Sequence, residues 1–191
     1  MVNHLIKQSS HASSGFYLNE FEKLNTVLQE LETKKQKTIL IGVSFALMDF
    51  ADAFPQQLKY TIVMETGGMK GRRTEMIKPM LHSYLKDRLG TSTIHSEYGM
   101  TELLSQAYSK GKGVFECPPW MKILTRDPED ALTILPEGKS GGINVIDLAN
   151  QNSCSFIATQ DLGKTYNNGT FEVLGRFDNS DIRGCNLLLL K

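Results

Sequence analysis

The sequence predicts an α/β protein in which a mostly parallel sheet flanked by helices is followed by a smaller β-rich lobe. In the first half, short β-branched runs alternate with segments of helical period, a pattern typical of parallel strands joined by helices. In the second half, short alternating runs are separated by turn signals, and no long helical pattern occurs. We place the boundary near Lys112, which gives an α/β lobe over 1–112 and a β-rich lobe over 113–191.

Three helices and three strands alternate in the first lobe. The first helix starts after Asn19 and carries an apolar stripe of Phe21, Leu24, Leu28 and Leu31. Strands are predicted at 38–43 and 60–64, each covered on both faces, and at 92–95. Ser44 is a candidate cap for the helix between the first two strands. Pro79 lies near the first turn of the helix that precedes the third strand.

The second lobe is divided by turns at 110–113, 136–138 and 167–169, the last of which is a good hairpin candidate. Strands are predicted at 121–125, 142–148, 156–159 and 170–174. Asp161 then falls in a turn between strands, and Arg176 follows the last one.

Composition limits the classes of function. The 191 residues include 21 Lys and Arg and 21 Asp and Glu, so a formal charge of zero argues against binding to nucleic acid or to an anionic membrane. No apolar run approaches the length of about 18 residues that a membrane span needs. The three cysteines share no CxxC spacing, which favours a reducing, cytoplasmic location over a disulfide framework or a zinc site.

One segment, 94–102, combines the side chains that a nucleotide site needs. The ring of Tyr98 can lie against a base, Gly99 allows close backbone approach, the hydroxyl of Thr101 can bond a phosphate oxygen, and Glu102 can hold Mg²⁺. A strand-to-loop turn with an unrelated Tyr and Glu explains the same residues. The double glycine at Gly67 and Gly68 also has two interpretations. It could belong to a loop that binds phosphate, or to a tight turn followed by solvated basic residues.

Four segments in this order resemble the adenylate-forming superfamily: 65–68 (ETGG), 98–102 (YGMTE), 159–161 (TQD) and 175–178 (GRFD). The chain is most similar to bacterial acyl-protein synthetases, the fatty-acid-activating component of the bioluminescence reductase, and to phenylacetate-CoA-ligase-like acyltransferases. The ending 181–185 (DIRGC) supports this narrower match. The resemblance implies ATP-dependent activation of a fatty acid or another carboxylic acid as acyl-AMP, followed by transfer to a thiol.

The resemblance also implies roles for individual residues. Tyr98 would stack on or pack beside adenine, with Gly67 and Gly68 as the wall where base and acyl chain meet, and Gly99 beside the base. Thr101 would bond the α-phosphate and Glu102 would hold Mg²⁺. The ribose hydroxyls would donate to Asp161, and Arg176 would contact ribose or phosphate. Asp178 matches a hinge. Cys185 would accept the acyl group, with Arg183 favouring the thiolate, although a cysteine beside the apolar tail 187–190 is equally consistent with a buried, inert thiol.

Two departures from the family pattern limit the expected activity. The Ser/Thr/Gly-rich loop that grips the β- and γ-phosphates has no counterpart, since 13–15 lacks the following threonines, glycine and lysine, and Gln160 stands where many relatives have glycine. We therefore expect a latter part of a longer enzyme that is inactive alone. The alternative is a non-catalytic module that binds AMP, acyl-adenylate or a partner subunit. Candidate partners are a carboxylic acid, an acyl-acceptor protein or CoA, and a second copy at an exposed sheet edge.

Overall fold

The computed structural model describes residues 1–67 and 76–177 of the chain. In that part the helices are α1 (Val2–Ser9), α2 (Phe21–Thr33), α3 (Ser44–Ala53) and α4 (Lys78–Leu89). The strands are β1 (Thr38–Val43), β2 (Thr61–Thr66), β3 (Ile94–Tyr98), β4 (Ala107–Ser109), β5 (Val114–Glu116), β6 (Met121–Arg126), β7 (Ser140–Asp147), β8 (Phe156–Thr165) and β9 (Phe171–Arg176).

All of the described strands belong to one mixed sheet, with the order β1-β2-β3-β4-β5-β9-β8-β7-β6. The pairs β1–β2 and β2–β3 are parallel, and the remaining pairs are antiparallel. The predicted fold class is therefore confirmed, with the parallel part confined to three strands. The hairpin turns predicted at 110–113 and 167–169 join β4 to β5 and β8 to β9.

The three parallel strands are covered by helices on one face. Leu40, Val63 and Ile94 lie on that face and pack with apolar side chains of α2, α3 and α4. On the other face Ile39 is 59% exposed and Ile62 is 43% exposed. The prediction that β1 and β2 are covered on both faces is therefore wrong for the described residues. Helix α1 was not predicted either, because no residue of this short, polar helix is buried.

The antiparallel strands enclose a second apolar cluster, which includes Tyr98, Phe115, Ile143, Val145 and Phe171. Tyr98 ends β3 and Asp161 lies in β8, and three strands separate them in the sheet order. The Tyr98 hydroxyl nevertheless lies 2.9 Å from Asp161 Oδ2, so the sheet curls strongly in this region. The lobe boundary near Lys112 stays a prediction.

Candidate functional site

Three of the predicted site residues contact one another: Tyr98, Asp161 and Arg176. The Tyr98 hydroxyl donates to Asp161 Oδ2 at 2.9 Å, and Arg176 Nε lies 3.5 Å from Asp161 Oδ1. Asp161 and Arg176 are paired in the register of β8 and β9. Asp161 therefore lies within a strand, and the prediction of a turn at this position is wrong because β8 extends to Thr165.

The ring of Tyr98 belongs to the apolar interior. Tyr98 is 2% exposed, and its ring makes edge contacts with Phe115 and Phe171 at centroid distances of 6.0 and 5.5 Å. Such edge-to-face contacts are the favoured packing of aromatic rings. With this burial the ring offers no open face to a base, and it is the hydroxyl that reaches the polar group.

Asp161 is held in a mainly apolar environment. Burial raises the pKa of its carboxyl group, while the hydrogen bond from Tyr98 and the charge of Arg176 act in the opposite direction. Asp161 is 8% exposed, and its side chain already has two partners. A carboxylate with this arrangement is rigidly placed and can accept a further hydrogen bond on a remaining lone pair.

A buried arginine supports the strand segment before Asp161, and sequence reasoning did not find it. Arg126 is 8% exposed and donates to the carbonyl groups of Ile143 and Thr159, at 2.9 and 2.7 Å. The Thr159 hydroxyl in turn accepts from the backbone N–H of Asp161 at 3.1 Å. A Cβ at Gly142 would lie 2.7 Å from Arg126 Cζ, so a larger residue here would displace the guanidinium. Burial lowers the pKa of Arg126.

The loop that follows β3 presents Thr101 and Glu102 to solvent, because both residues are exposed. The described residues contain no group of three or more His, Cys, Asp or Glu side chains that could hold a metal ion. A single exposed carboxylate such as Glu102 still suits Mg²⁺, which proteins usually bind through one or two carboxylates together with phosphate oxygens. At Gly99 a Cβ would lie 2.7 Å from Glu97 Oε1, so the loop starts in a crowded position.

Asp147, at the end of β7, fixes this loop, and it too was missed from the sequence. Its carboxylate accepts from the backbone N–H groups of Leu104 and Ser105 at 3.0 and 2.9 Å, and from the Ser105 hydroxyl at 2.7 Å. The same hydroxyl accepts from Trp120 Nε1 at 2.9 Å. Burial raises the pKa of Asp147, but the hydrogen bonds from Ser105, Ala149 and Leu104 outweigh it and lower the pKa.

The loop has a second anchor in Asn150, whose side-chain amide donates to the Glu102 carbonyl at 2.7 Å. Asn150 belongs to a short 3-10 helix, Leu148–Asn150, that directly follows β7. The end of β7 and this helix therefore hold the loop at Glu102 and at the two residues, Leu104 and Ser105, that follow its turn.

Gly67 follows β2, with a positive φ of 68° that favours glycine. Its carbonyl accepts from the Ser44 hydroxyl at 3.0 Å, and the same hydroxyl lies 3.3 Å from Glu65 Oε2. Ser44 therefore does not cap α3 as predicted, because its hydroxyl faces the end of β2, and it makes no capping hydrogen bond. The pairing of Thr66 with Glu97 places Gly67 next to Tyr98 at the carboxyl ends of β2 and β3, where parallel sheets bind their ligands.

Four other predicted residues lie outside the described part of the chain. These are Gly68, the hinge candidate Asp178, and the acyl-acceptor candidate Cys185 with its neighbour Arg183. Their roles stay predictions.

No protein-family model and no curated protein matches the chain. Among solved structures it is similar to an ATP-bound chimera of RpMatB and BxBclM, with a TM-score of 0.59 and 18% identity over 82% of this chain. ATP-bound MatB from Rhodopseudomonas palustris gives a TM-score of 0.57 with 19% identity over 82% of this chain. O-succinylbenzoate coenzyme A synthetase from Bacillus subtilis, with ATP and magnesium, gives 0.56 with 19% identity over 83%.

These likenesses establish the fold alone, and the resemblance to the adenylate-forming superfamily stays a prediction. The chain spans 33% to 35% of the length of the three structures. The narrower match to acyl-protein synthetases stays a prediction. Among the described helices none is both long and apolar enough to cross a membrane.

Proposed function

We propose that this chain is part of an ATP-dependent adenylate-forming enzyme and carries the residues that bind the adenosine monophosphate half of the acyl-adenylate. One observation carries the proposal: Tyr98 of β3 reaches Asp161 and Arg176, which are paired on β8 and β9, next to a loop that exposes Thr101 and Glu102. The likeness in fold to structures that contain ATP and magnesium supports the same conclusion.

Each side chain has a role that its environment supports. Asp161 accepts from the ribose hydroxyls, and Arg176 donates to ribose or phosphate. The buried Tyr98 fixes the orientation of Asp161 through its hydroxyl, while adenine lies beside this part of the sheet near Gly67 and Gly99. Thr101 donates to an α-phosphate oxygen, and Glu102 would hold Mg²⁺, which when bound would neutralise negative charge on the α-phosphate.

The reaction proposed for the whole enzyme has two steps. A carboxylate oxygen of a fatty acid attacks the α-phosphorus of ATP, and pyrophosphate leaves. A thiolate then attacks the acyl carbonyl of the adenylate, forming a thioester and releasing AMP. Cys185 is the proposed thiol within this chain, and a partner protein or CoA is the alternative acceptor. Cytoplasmic location follows from this chemistry and from the cysteine pattern.

A calorimetric titration with AMP tests the nucleotide site. We expect saturable binding that weakens about 10- to 100-fold in Asp161→Ala, because a hydrogen bond to a charged acceptor contributes about 1.5–3 kcal/mol. Asp87→Ala is the matched control, since Asp87 is an exposed carboxylate on α4. Circular dichroism checks that each variant is folded. If folded wild-type protein does not bind AMP, or if Asp161→Ala binds as tightly, the proposal fails.

A second proposal follows from the absence of a Ser/Thr/Gly-rich phosphate loop with its lysine in these 191 residues. In this proposal the chain holds AMP, acyl-adenylate or a partner subunit without turnover. Acyl-dependent exchange of pyrophosphate into ATP, measured on the same preparation, tests whether this chain turns over without the rest of an enzyme. We expect AMP binding without exchange from this chain alone, and exchange at an ordinary enzymatic rate would exclude the binding module.

We also propose self-association through the edge of the sheet at β1. Among the described strands β1 pairs only with β2, and it exposes Ile39, the kind of edge that pairs readily with another chain. Sedimentation should show a dimer that dissociates in Ile39→Lys. Leu132→Lys, at a loop residue that is 93% exposed, is the control and should leave the dimer intact. A monodisperse monomer of the wild-type chain would contradict the proposal.

A further inference from the structure

A cavity lies between α4, the start of β3 and the turn that joins β4 to β5. Its volume is about 380 Å³, within the range of roughly 300–1,000 Å³ that is typical of small-molecule sites. The described residues that line it do not include Tyr98, Asp161 or Arg176. The cavity is therefore distinct from the candidate nucleotide site, and inferences about it do not depend on the proposed function.

The walls of this cavity carry an excess of positive charge. Lys86 of α4 and Lys110 and Lys112 of the turn line it, and Glu116 is the carboxylate among the described lining residues. Lys110 is paired with Glu116 at 3.0 Å, whereas Lys86 and Lys112 make no ion pair with a described residue. The whole chain has a formal charge of zero, so this local excess of positive charge does not simply reflect a high proportion of basic residues in the chain.

Other residues with hydrogen-bonding side chains also line the cavity. They are Ser92, Thr93 and His82, of which His82 is only 8% exposed. The imidazole is held from the protein side, since its Nε2 lies 3.3 Å from Glu65 Oε1 and 3.2 Å from Ser96 Oγ.

The turn between β4 and β5 has an unusual backbone. Gly111, Lys112 and Gly113 have successive positive φ angles of 130°, 60° and 71°. A left-handed conformation costs a non-glycine residue such as Lys112 roughly 1–2 kcal/mol. At Gly111 a Cβ would lie 2.8 Å from Thr93 Cγ2, so the turn packs closely against the start of β3.

We propose that this cavity binds a small molecule through a phosphate group. Two lysines that make no ion pair with a described residue, and a third that can exchange its carboxylate partner, match the double charge of phosphate. Lysine ammonium groups bind phosphate as point charges, and the neighbouring hydroxyls can donate to the remaining oxygens. Glu116 opposes binding, because it adds negative charge and occupies Lys110. The proposal therefore predicts that removing the charge of Lys86 weakens phosphate binding and that removing the charge of Glu116 strengthens it.

Nuclear magnetic resonance titration of the ¹⁵N-labelled full chain with inorganic phosphate, at constant ionic strength, tests this proposal. We expect saturable shifts at the backbone amides of Thr93, Gly111 and Lys112. Lys86→Ala should weaken binding about tenfold, the effect of losing one hydrogen bond to a charged group. Glu116→Gln should tighten binding severalfold, because it releases Lys110. Lys122→Ala is the control, since Lys122 is an exposed lysine on β6 at the far edge of the sheet.

Three titrations identify which phosphate compound the cavity prefers, and one variant separates this cavity from the candidate nucleotide site. Inorganic phosphate, pyrophosphate and AMP are titrated separately, and tighter binding of one of them at the same amides identifies the form that the cavity prefers. Asp161→Ala should leave these shifts unchanged, so failure of the nucleotide proposal does not affect this test. Shifts that do not saturate, equal weakening by Lys86→Ala and Lys122→Ala, or no gain from Glu116→Gln would overturn the proposal.

Discussion

Glu65→Gln is expected to lower the free energy of unfolding by about 3 kcal/mol at neutral pH. Glu65 is 1% exposed, with Lys78 Nζ at 2.6 Å and His82 Nε2 at 3.3 Å. Burial alone would raise the pKa of this carboxyl group, but the hydrogen bond from His82 and the charge of Lys78 outweigh it and lower the pKa from 4.5 to about 2. A difference of this size between folded and unfolded states corresponds to about 3 kcal/mol.

The pH dependence gives this prediction a second, independent measurement. Because the folded state has the lower pKa, the stabilisation is fully present above the unfolded value of 4.5 and is lost as the pH falls towards about 2. The difference between wild type and Glu65→Gln in urea denaturation should therefore be largest at pH 7 and should shrink between pH 4.5 and pH 2.

Glu129→Gln is the matched control for these measurements, because Glu129 is exposed in the loop after β6. It should unfold like the wild type at each pH. Equal stability of Glu65→Gln and wild type at pH 7 would show that the buried ion pair contributes nothing net, as is known for some buried pairs that are replaced by neutral groups.

The regular elements of the chain could be predicted because their patterns are local. The stripe of Phe21, Leu24, Leu28 and Leu31 repeats with the helical period, and α2 buries its last two members. The β-branched run at Thr38–Val43 forms β1 with the predicted bounds. The sequence of this run does not show whether both faces of the strand are covered. An apolar side chain such as Ile39 is compatible with a covered face and with an exposed one.

The candidate site depended on contacts that no local pattern contains. Tyr98 and Asp161 are 63 positions apart, and they meet because of the curl of the antiparallel strands. The motif around Tyr98 predicted an accessible ring, but Tyr98 is the last residue of β3 and alternation along that strand turns it towards the interior. In the sequence, Arg126 and Asp147 cannot be told from ordinary charged residues at the ends of strands. Their burial and hydrogen bonds in the fold show that Arg126 supports the segment before Asp161 and that Asp147 anchors the loop after β3.

The anchor at Asp147 leads to the other large expected effect. Asp147→Ala would leave the backbone N–H groups of Leu104 and Ser105 and the Ser105 hydroxyl without their acceptor, and Ser105 is buried. Each unsatisfied buried donor costs about 1–3 kcal/mol, and partial access of water reduces the sum, so we expect a loss of about 3 kcal/mol in unfolding free energy. Asp147→Asn keeps one acceptor oxygen and should lose less.

The one tryptophan of the sequence reports on this loop directly. Trp120 donates to the same Ser105 hydroxyl that donates to Asp147, so displacement of the loop removes the hydrogen bond of the indole. In folded Asp147→Asn we therefore expect altered Trp120 emission and faster quenching by acrylamide, together with weaker Mg²⁺ dependence of AMP binding, because Glu102 lies on the displaced segment.

Asp130→Asn provides the control for this loop, because Asp130 also accepts hydrogen bonds from its own turn, at Leu132 and Thr133, but is exposed. It should change neither emission nor Mg²⁺ dependence. A merely structural role for Asp147 would lower stability and leave both of these readouts unchanged in the folded variant, whereas a positioning role requires that they change together. Unchanged emission and Mg²⁺ dependence in folded Asp147→Asn would therefore show that the loop keeps its place without this carboxylate.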